Sequence, residues 1–452
     1  MRKFIYIVIF ALPLTVSAAR GEEHQTLTIE QSREMAIESS YNLKSSIERV
    51  SAAEDIAAAY RSNLLPNFSL SGNYLYSTSS FEAAITGGYL PTFVDGVYDP
   101  STLTYMPDQN FELEVGSVYN LGIMATQPIY MGGKVSNAIK LAGVGIDISK
   151  LNQKVSEVEV LEFTDKAFYQ LMEVEEMLLS AQSYEAVVEE FHRQMENGVK
   201  RGMKTRNDLL KISVRLNEAK LMTLKAQNGV RLAKMNFCYA VGLPLTTDNI
   251  TLVDPTVVNN SIHNRDLDIT SRPEYNMLEA AVEAKELEMK ITRGDFLPSL
   301  TAMATYSYMG GMKLNGSTLL GGGNFLGGVS LNVPIFHWGE GRRKTSAKQR
   351  EIDIAQNQMA DMSQLMKLEL MQAINEYNEA LLEVTHSTEA VAQAEENMRI
   401  SKNQYDVGME TIADYLEAQA LWQKAMSDLC SARSKQRNAY TKYLKCSGKL
   451  YV

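Results

Sequence analysis

Leu65-Pro66-Asn67-Phe68-Ser69-Leu70 returns 232 residues later as Leu297-Pro298-Ser299-Leu300-Thr301-Ala302. Farther along the shift becomes 206: Pro128-Ile129 meets Pro334-Ile335, Gly133 meets Gly339, and Gly202-Met203 meets Gly408-Met409. Thr205 likewise meets Thr411, Asp208 meets Asp414 and Gly242 meets Gly448. Self-similarity at a fixed shift marks a repeated structural unit. The gap-free register from Pro128 to Gly242 means that both copies carry the same long rigid elements, so the difference of 26 residues is an insertion between Pro66 and Pro128. Its stretch from Ser77 to Glu112, rich in Ser, Gly, Pro and Tyr, predicts an exposed irregular loop.

No proline occurs between Ile129 and Leu243, or from Ile335 to the C-terminus, which permits unusually long helices. Val135 to Asn197 predicts one helix of roughly 60 residues, about 90 Å at 1.5 Å per residue. After the Gly202 region, Leu209, Ile212, Leu216, Ala219, Thr223, Ala226, Val230, Ala233 and Phe237 keep a heptad spacing. Tyr415, Ala418, Trp422, Ala425, Leu429, Ala432, Gln436, Ala439 and Tyr443 repeat it. Each copy therefore contains a long antiparallel helical hairpin. The descending helix carries two stripes, one through Phe163, Ala167 and Leu171 and one through Leu161, Phe168 and Met172. They fit either a wide core-facing surface or a helix with neighbours on two sides.

Ahead of each hairpin lie two segments with period-2 alternation, the signature of strands. In the segment 67–77, Phe68, Leu70, Gly72, Tyr74 and Tyr76 share one face; in 299–308, Leu300, Ala302, Ala304, Tyr306 and Tyr308 do. The returning strands fall at 115–129, with Tyr119, Leu121, Ile123 and Ala125 together, and at 325–335, with Val329, Leu331 and Val333 together. Lengths near ten residues with small polar residues on one face match transmembrane strands; a small soluble sheet is the alternative. In lipid, a four-stranded sheet would leave two edges of unpaired N–H and C=O groups, at several kcal/mol per group. The sheet must then close, and since barrels begin at about eight strands, two or three copies of the chain must share one. Tyr74, Tyr76, Tyr306 and Tyr308 fit an interfacial aromatic belt as well as plain packing. Gly321-Gly-Gly-Asn-Phe-Leu-Gly-Gly328 lacks the lysine of a phosphate loop and leads into a strand, so it reads as a loop at the extracellular rim.

Met1 to Ala18 has a charged start (Arg2, Lys3), an apolar run from Phe4 to Val16 and small residues at its end, which predicts a cleaved secretory signal over 1–18. The other reading is a single anchor, for which the apolar run is short. The divisions that follow are a first repeat over 19–242, a connection over 243–271 and a second repeat over 272–452. Formal charge is −10, and −12 without Arg2 and Lys3 (42 basic against 54 acidic), which excludes a nucleic-acid partner. Cys238, Cys430 and Cys446 form no CxxC pair, and the five His form no HxxxH pair. Neither a disulfide framework, a metal site nor a cofactor is expected. No nucleophile, base and orienting residue group by spacing, so an exported hydrolase is the weakest reading and no enzyme is expected.

An exported chain of two copies, each a helix, a hairpin of strands and a long helical hairpin, resembles the TolC family of outer-membrane efflux proteins. The resemblance rests on the strand entries Leu65-Pro66 and Leu297-Pro298 and on the exits Pro128-Ile-Tyr-Met-Gly-Gly133 and Pro334-Ile-Phe-His-Trp-Gly339. It also rests on the turns Gly202-Met-Lys-Thr-Arg-Asn-Asp208 and Tyr405-Asp-Val-Gly408-Met-Glu-Thr-Ile-Ala-Asp414-Tyr-Leu-Glu417. It implies a mainly α fold with transmembrane β: a homotrimer whose twelve strands form one barrel, continued by an α-helical periplasmic barrel in which the connection over 243–271 is equatorial. Its implied place is the outer membrane of a Gram-negative bacterium, in contact with outer-membrane lipid and extending into the periplasm. It implies a passive channel-tunnel of a tripartite efflux or type I secretion system, partnered by a periplasmic adaptor (membrane fusion protein) and an inner-membrane transporter. A periplasmic coiled-coil scaffold or tether is the competing function.

The resemblance also assigns the turns near 198–208 and 405–417 to the periplasmic entrance. Tyr405 matches the family's gate tyrosine, Asp208 and Asp414 the acidic positions of the two turns, and Glu417 an acidic ring. Gly202, Thr205, Gly408 and Thr411 fall at the adaptor-contacting tips, though the glycines read first as turn formers. Position 410 departs: the family's best-known member has Arg where this chain has Glu410. Lys200, Arg201, Lys204 and Arg206 on the first tip face Asp406, Glu410, Asp414 and Glu417 on the second. This suggests a lock of reversed polarity, Arg206 or Lys204 with Glu410; merely solvated charges are the alternative. Asp414 and Glu417, multiplied by symmetry, suggest cation-favouring rings, or else ordinary helix-surface acids.

Overall fold

The computed structural model describes residues 25–78, 80–246, 249–253, 261–262 and 267–450; the expected leader over 1–18 lies outside them. The chain divides into two compact units, one of Ile47–Asn152 and Asn276–Asp361, the other of Met1–Ser46, Gln153–Tyr275 and Met362–Val452.

The first unit is built on an antiparallel sheet of β2 (Asn67–Tyr76), β6 (Gln109–Met131), β8 (Ser299–Leu314) and β9 (Ser317–Asn332), in that order, with β3 (Ser80–Ile85) pairing the upstream part of β6. Asn67 pairs Thr126 in the first repeat and Ser299 pairs Asn332 in the second. The same two shifts, 232 and 206, relate both pairs, so the repeats share one register. That register gathers Phe68, Leu70 and Tyr74 of β2, Leu121 and Ile123 of β6, Leu300, Ala302 and Tyr306 of β8, and Val329 and Leu331 of β9 on one face. Ser, Thr and Asn dominate the other. α2 (Tyr41–Ser62) and α5 (Pro273–Gly294) lead into β2 and β8. Lys134 pairs Asp295 at 2.6 Å, and Lys348 bonds both Glu288 and Glu351.

Three expectations are corrected here. The insertion is not irregular, because besides β3 it holds a second sheet, the hairpin of β4 (Gly88–Val94) and β5 (Val97–Met106). Its turn is Asp95-Gly96, both at positive φ (+50° and +79°), the residue pair that a tight two-residue hairpin demands. The Gly321–Gly328 stretch is likewise not a rim loop but strand β9 itself; the reversal is made earlier, by Asn315-Gly316 at φ +51° and +76°. β9 ends at Asn332 rather than 335, since Pro334 has no N–H to give a ladder.

In the second unit, α1 (Ile29–Ser39) starts at a reciprocal cap between Thr28 and Gln31. β1 (Gln25–Leu27) pairs β7 (Ile250–Leu252) in parallel. α3 (Lys134–Lys200) and α6 (Glu340–Asp406), 67 residues each, belong to both units, and α4 (Arg206–Val241) and α7 (Ile412–Cys446) to this one. The expected seam of α4 is buried at Ile212, Leu216, Ala219, Thr223, Ala233 and Phe237, and that of α7 at Tyr415, Ala418, Leu429, Ala432, Gln436 and Ala439. Ala167 and Leu171 of one stripe of α3 lie in one core cluster with Phe168 and Met172 of the other, against Ala233, Phe237 and Val241 of α4. Toward α4 the helix is apolar, with Phe168 edge-on to Phe237. Toward α7 it is polar near the C-terminus of α7, with Asp165 accepting from Thr441 at 2.7 Å and Glu162 pairing Lys445 at 2.7 Å, and apolar near the turn, where Phe191 and Met195 join Tyr415 and Leu416.

All three cysteines are buried and none is in a disulfide, and burial pushes the thiols of Cys430 and Cys446 up to about 11. Among the described residues no helix is long and apolar enough to cross a membrane.

Candidate functional site

The conspicuous site is the end of the helical unit where the two hairpins turn. α3 ends at Lys200 and α6 at Asp406, and both ends are closed by the same left-handed cap. Gly202 (φ +73°) donates to Val199 and Met203 to Gly198; Gly408 (φ +79°) donates to Tyr405 and Met409 to Gln404. A residue with a Cβ resists this conformation, which explains glycine at both positions. The next helices open on Thr205 and Thr411, whose hydroxyls accept from the backbone N–H of Asp208 and Asp414 at 3.2 and 3.3 Å.

Asp208 and Asp414 thus act first on their own helices. Asp208 accepts the Thr205 hydroxyl at 2.7 Å and lies 3.8 Å from Lys211. Asp414 accepts both the hydroxyl (2.6 Å) and the backbone N–H (2.9 Å) of Thr411. These hydrogen bonds, that from the hydroxyl foremost, hold the Asp414 carboxyl below the usual carboxylate range. A group with a lowered folded pKa stabilises the fold above its unfolded pKa and loses that effect as pH falls through the folded value. Because Thr411 is the N-cap of α7, Thr411→Ala should destabilise the α7 start by about 1 kcal/mol at neutral pH. The deficit should shrink below about pH 4, as read by melting the purified protein across pH 3 to 7.

Tyr405 is buried, 8% exposed, in a cluster that both hairpins build: Phe191, Met195 and Ile212 from the first, Ile412, Tyr415 and Leu416 from the second. Phe191 stands edge-on to Tyr405 at 5.4 Å and to Tyr415 at 4.8 Å, while the two tyrosines stack at 6.0 Å. The ammonium of Lys204 lies 4.3 Å from the centre of the Tyr405 ring. Sequence reasoning missed Phe191, although Tyr184, Val188, Phe191 and Met195 hold a heptad spacing that marks it as seam.

The expected pairing of Arg206 or Lys204 with Glu410 is not made within the chain. Glu410, in the turn after α6, takes the hydroxyl of Ser401 of α6, and Lys204 goes to Tyr405. Of the other tip cations, Lys200 pairs Glu196 at 2.8 Å, and Arg206 is exposed at the first position of α4. Glu417 is exposed on α7, one turn beyond Asp414. Thus Tyr405 and Lys204 come together, whereas the acidic residues are divided among caps, Ser401 and open surface. Among the described residues, no three His, Cys, Asp or Glu side chains group as a metal site.

Comparison with known proteins gives a consistent picture. The model of the outer membrane efflux protein family matches residues 33–242 and 267–448. The alkaline protease secretion protein AprF of Pseudomonas aeruginosa is 23% identical over 411 residues, covering 88% of this chain and 80% of its own. Among solved structures, the outer membrane protein VceC of Vibrio cholerae superposes with a TM-score of 0.71 at 16% identity, over 93% of this chain and 96% of that one. The outer membrane channel CmeC of Campylobacter jejuni gives 0.71 at 16% identity, over 93% and 86%. At such identities the structures speak for the fold.

Proposed function

The chain belongs to the outer membrane efflux protein family, and we infer that it is the outer-membrane channel-tunnel of a tripartite export system, a duct that moves cargo without chemistry of its own. The observation that carries this is the sheet. One register places most of the large apolar residues of four strands on a single face, with Leu75, Met124, Met303 and Leu326 as exceptions, and Phe68, Leu70, Phe325 and Leu331 stand there openly exposed. Tyr119 and Tyr308 stack on that face at 6.1 Å, in keeping with an aromatic belt where lipid meets water. β2 and β9 are edges, and lipid tolerates no open edge. Three copies supply twelve strands and close the barrel, and the tips meet a periplasmic adaptor and an inner-membrane transporter. The similarity to AprF, named for secretion of alkaline protease, makes a polypeptide cargo as plausible as a small one.

The internal pairing of β6 with β8 gives the register of closure. Thr126 stands opposite Met303; shifted by 206 and 232, this pair becomes Asn332 opposite Ser71 of the next copy. Cysteines at Asn332 and Ser71 should therefore oxidise to a covalent trimer on denaturing gels, while cysteines at Leu331 and Ser71, one residue out of register and on opposite faces, should not. The same trimer in planar bilayers should give small, cation-preferring conductance steps. A soluble monomer without conductance would hand the case to a periplasmic scaffold.

A further inference from the structure

We propose that Lys204 latches the entrance through the face of the Tyr405 ring, a cation held by an aromatic rather than by a carboxylate. The proposal rests on the reading of the tips as the entrance of the duct. Three observations carry it. The Lys204 ammonium lies 4.3 Å from the ring centre, within the range in which a cation is drawn to the negative face of an aromatic. The ring is itself fixed, since Phe191 and Tyr415 pack its other sides, so the cation meets a rigid target. Finally, the lysine stem is seated by a missing side chain: a Cβ at Gly198 would come within 2.8 Å of Lys204 Cγ. Gly198 thus lets the stem cross the last turn of α3 and aim its charge at the second hairpin.

The contact joins the turn after α3 to the end of α6, and so ties one hairpin tip to the other. The carboxylate best placed to compete, Glu410, is occupied by Ser401 on α6. Losing one such contact weakens closure by about two- to fivefold, and losing three symmetric ones by about ten- to hundredfold.

The test is the open fraction of the purified protein in planar bilayers. Lys204→Met should raise it about ten- to hundredfold, and Gly198→Ala, which displaces the stem, should raise it in the same direction. Lys204→Arg and Tyr405→Phe should stay near wild type, because the guanidinium is still a cation and the ring survives without its hydroxyl. Glu410→Gln should change little. If Tyr405→Phe opens the channel as far as Lys204→Met, the hydroxyl and not the ring face is the latch. If Glu410→Gln does so, an ion pair is, and either result overturns the proposal. Phe191→Ala separates this from failure of the entrance reading, because it loosens the whole tip cluster. If it opens the channel while Lys204→Met does not, the tips are the entrance but Lys204 is not the latch. If Phe191→Ala also leaves conductance unchanged, the constriction lies elsewhere and both readings fall.

Discussion

Arg33→Ala should cost about 3 to 5 kcal/mol of stability, because it strands a carboxylate that has no access to water. Asp165 is fully buried, and Arg33 grips it with both branches of the guanidinium, Nε to Oδ1 at 2.8 Å and Nη2 to Oδ2 at 2.6 Å. Thr441 adds a third hydrogen bond. Burial lowers the Arg33 pKa, but the hydrogen bonds and charge of Asp165 outweigh it, and the net shift is upward. The site pins α1, α3 and α7 at one point. Leaving Asp165 without its cation exposes the full desolvation penalty, whereas removing both charges at once does not. Arg33→Met combined with Asp165→Leu should therefore melt closer to wild type than Arg33→Ala alone. Equal or greater loss in the double variant would show that the pair itself, and not the orphaned charge, sets the stability.

Gly242→Val should be nearly as damaging, at about 2 to 5 kcal/mol. Gly242 caps α4 at φ +75°, and a Cβ there would lie 2.1 Å from Ser39 Cβ at the end of α1. Gly202 provides the control: its φ is +73°, but nothing lies within 4 Å of its Cβ position. Gly202→Ala should cost only the left-handed conformation, about 1 kcal/mol. The difference in thermal melting between the two variants then measures the close approach of α4 to α1. Ser39→Gly should recover part of the loss at Gly242, and if it recovers none, the overlap with Ser39 is not its source.

Both sites show where sequence reasoning stops. The identity of 242 with 448 and of 202 with 408 is visible in the repeat, and each of the four glycines sits at positive φ. That Ser39 presses on one of them is not, because the contact spans about two hundred residues. Arg33, Asp165 and Thr441 lie 132 and 276 residues apart and share no pattern. The hairpin in the insertion was legible after all, in Asp95-Gly96, and was hidden by the loop-like composition around it. The tip charges invited pairing by sign. Within one chain, Glu410 takes Ser401, and Gly198 opens a path for Lys204 to an aromatic ring.

The sequence by itself determined the two repeats, the long proline-free helices, the alternating strands and the glycine turns at Gly202 and Gly408. Each of these depends on residues a few positions apart, where backbone geometry leaves little choice. Only the tertiary structure decided which partner each tip charge takes and which glycine is crowded. It also decided that α3 meets α7 through polar contacts at Asp165 and Glu162 but through an apolar cluster at Phe191 and Met195. Those outcomes are settled by competition among side chains brought together from distant parts of the chain, which no local spacing encodes.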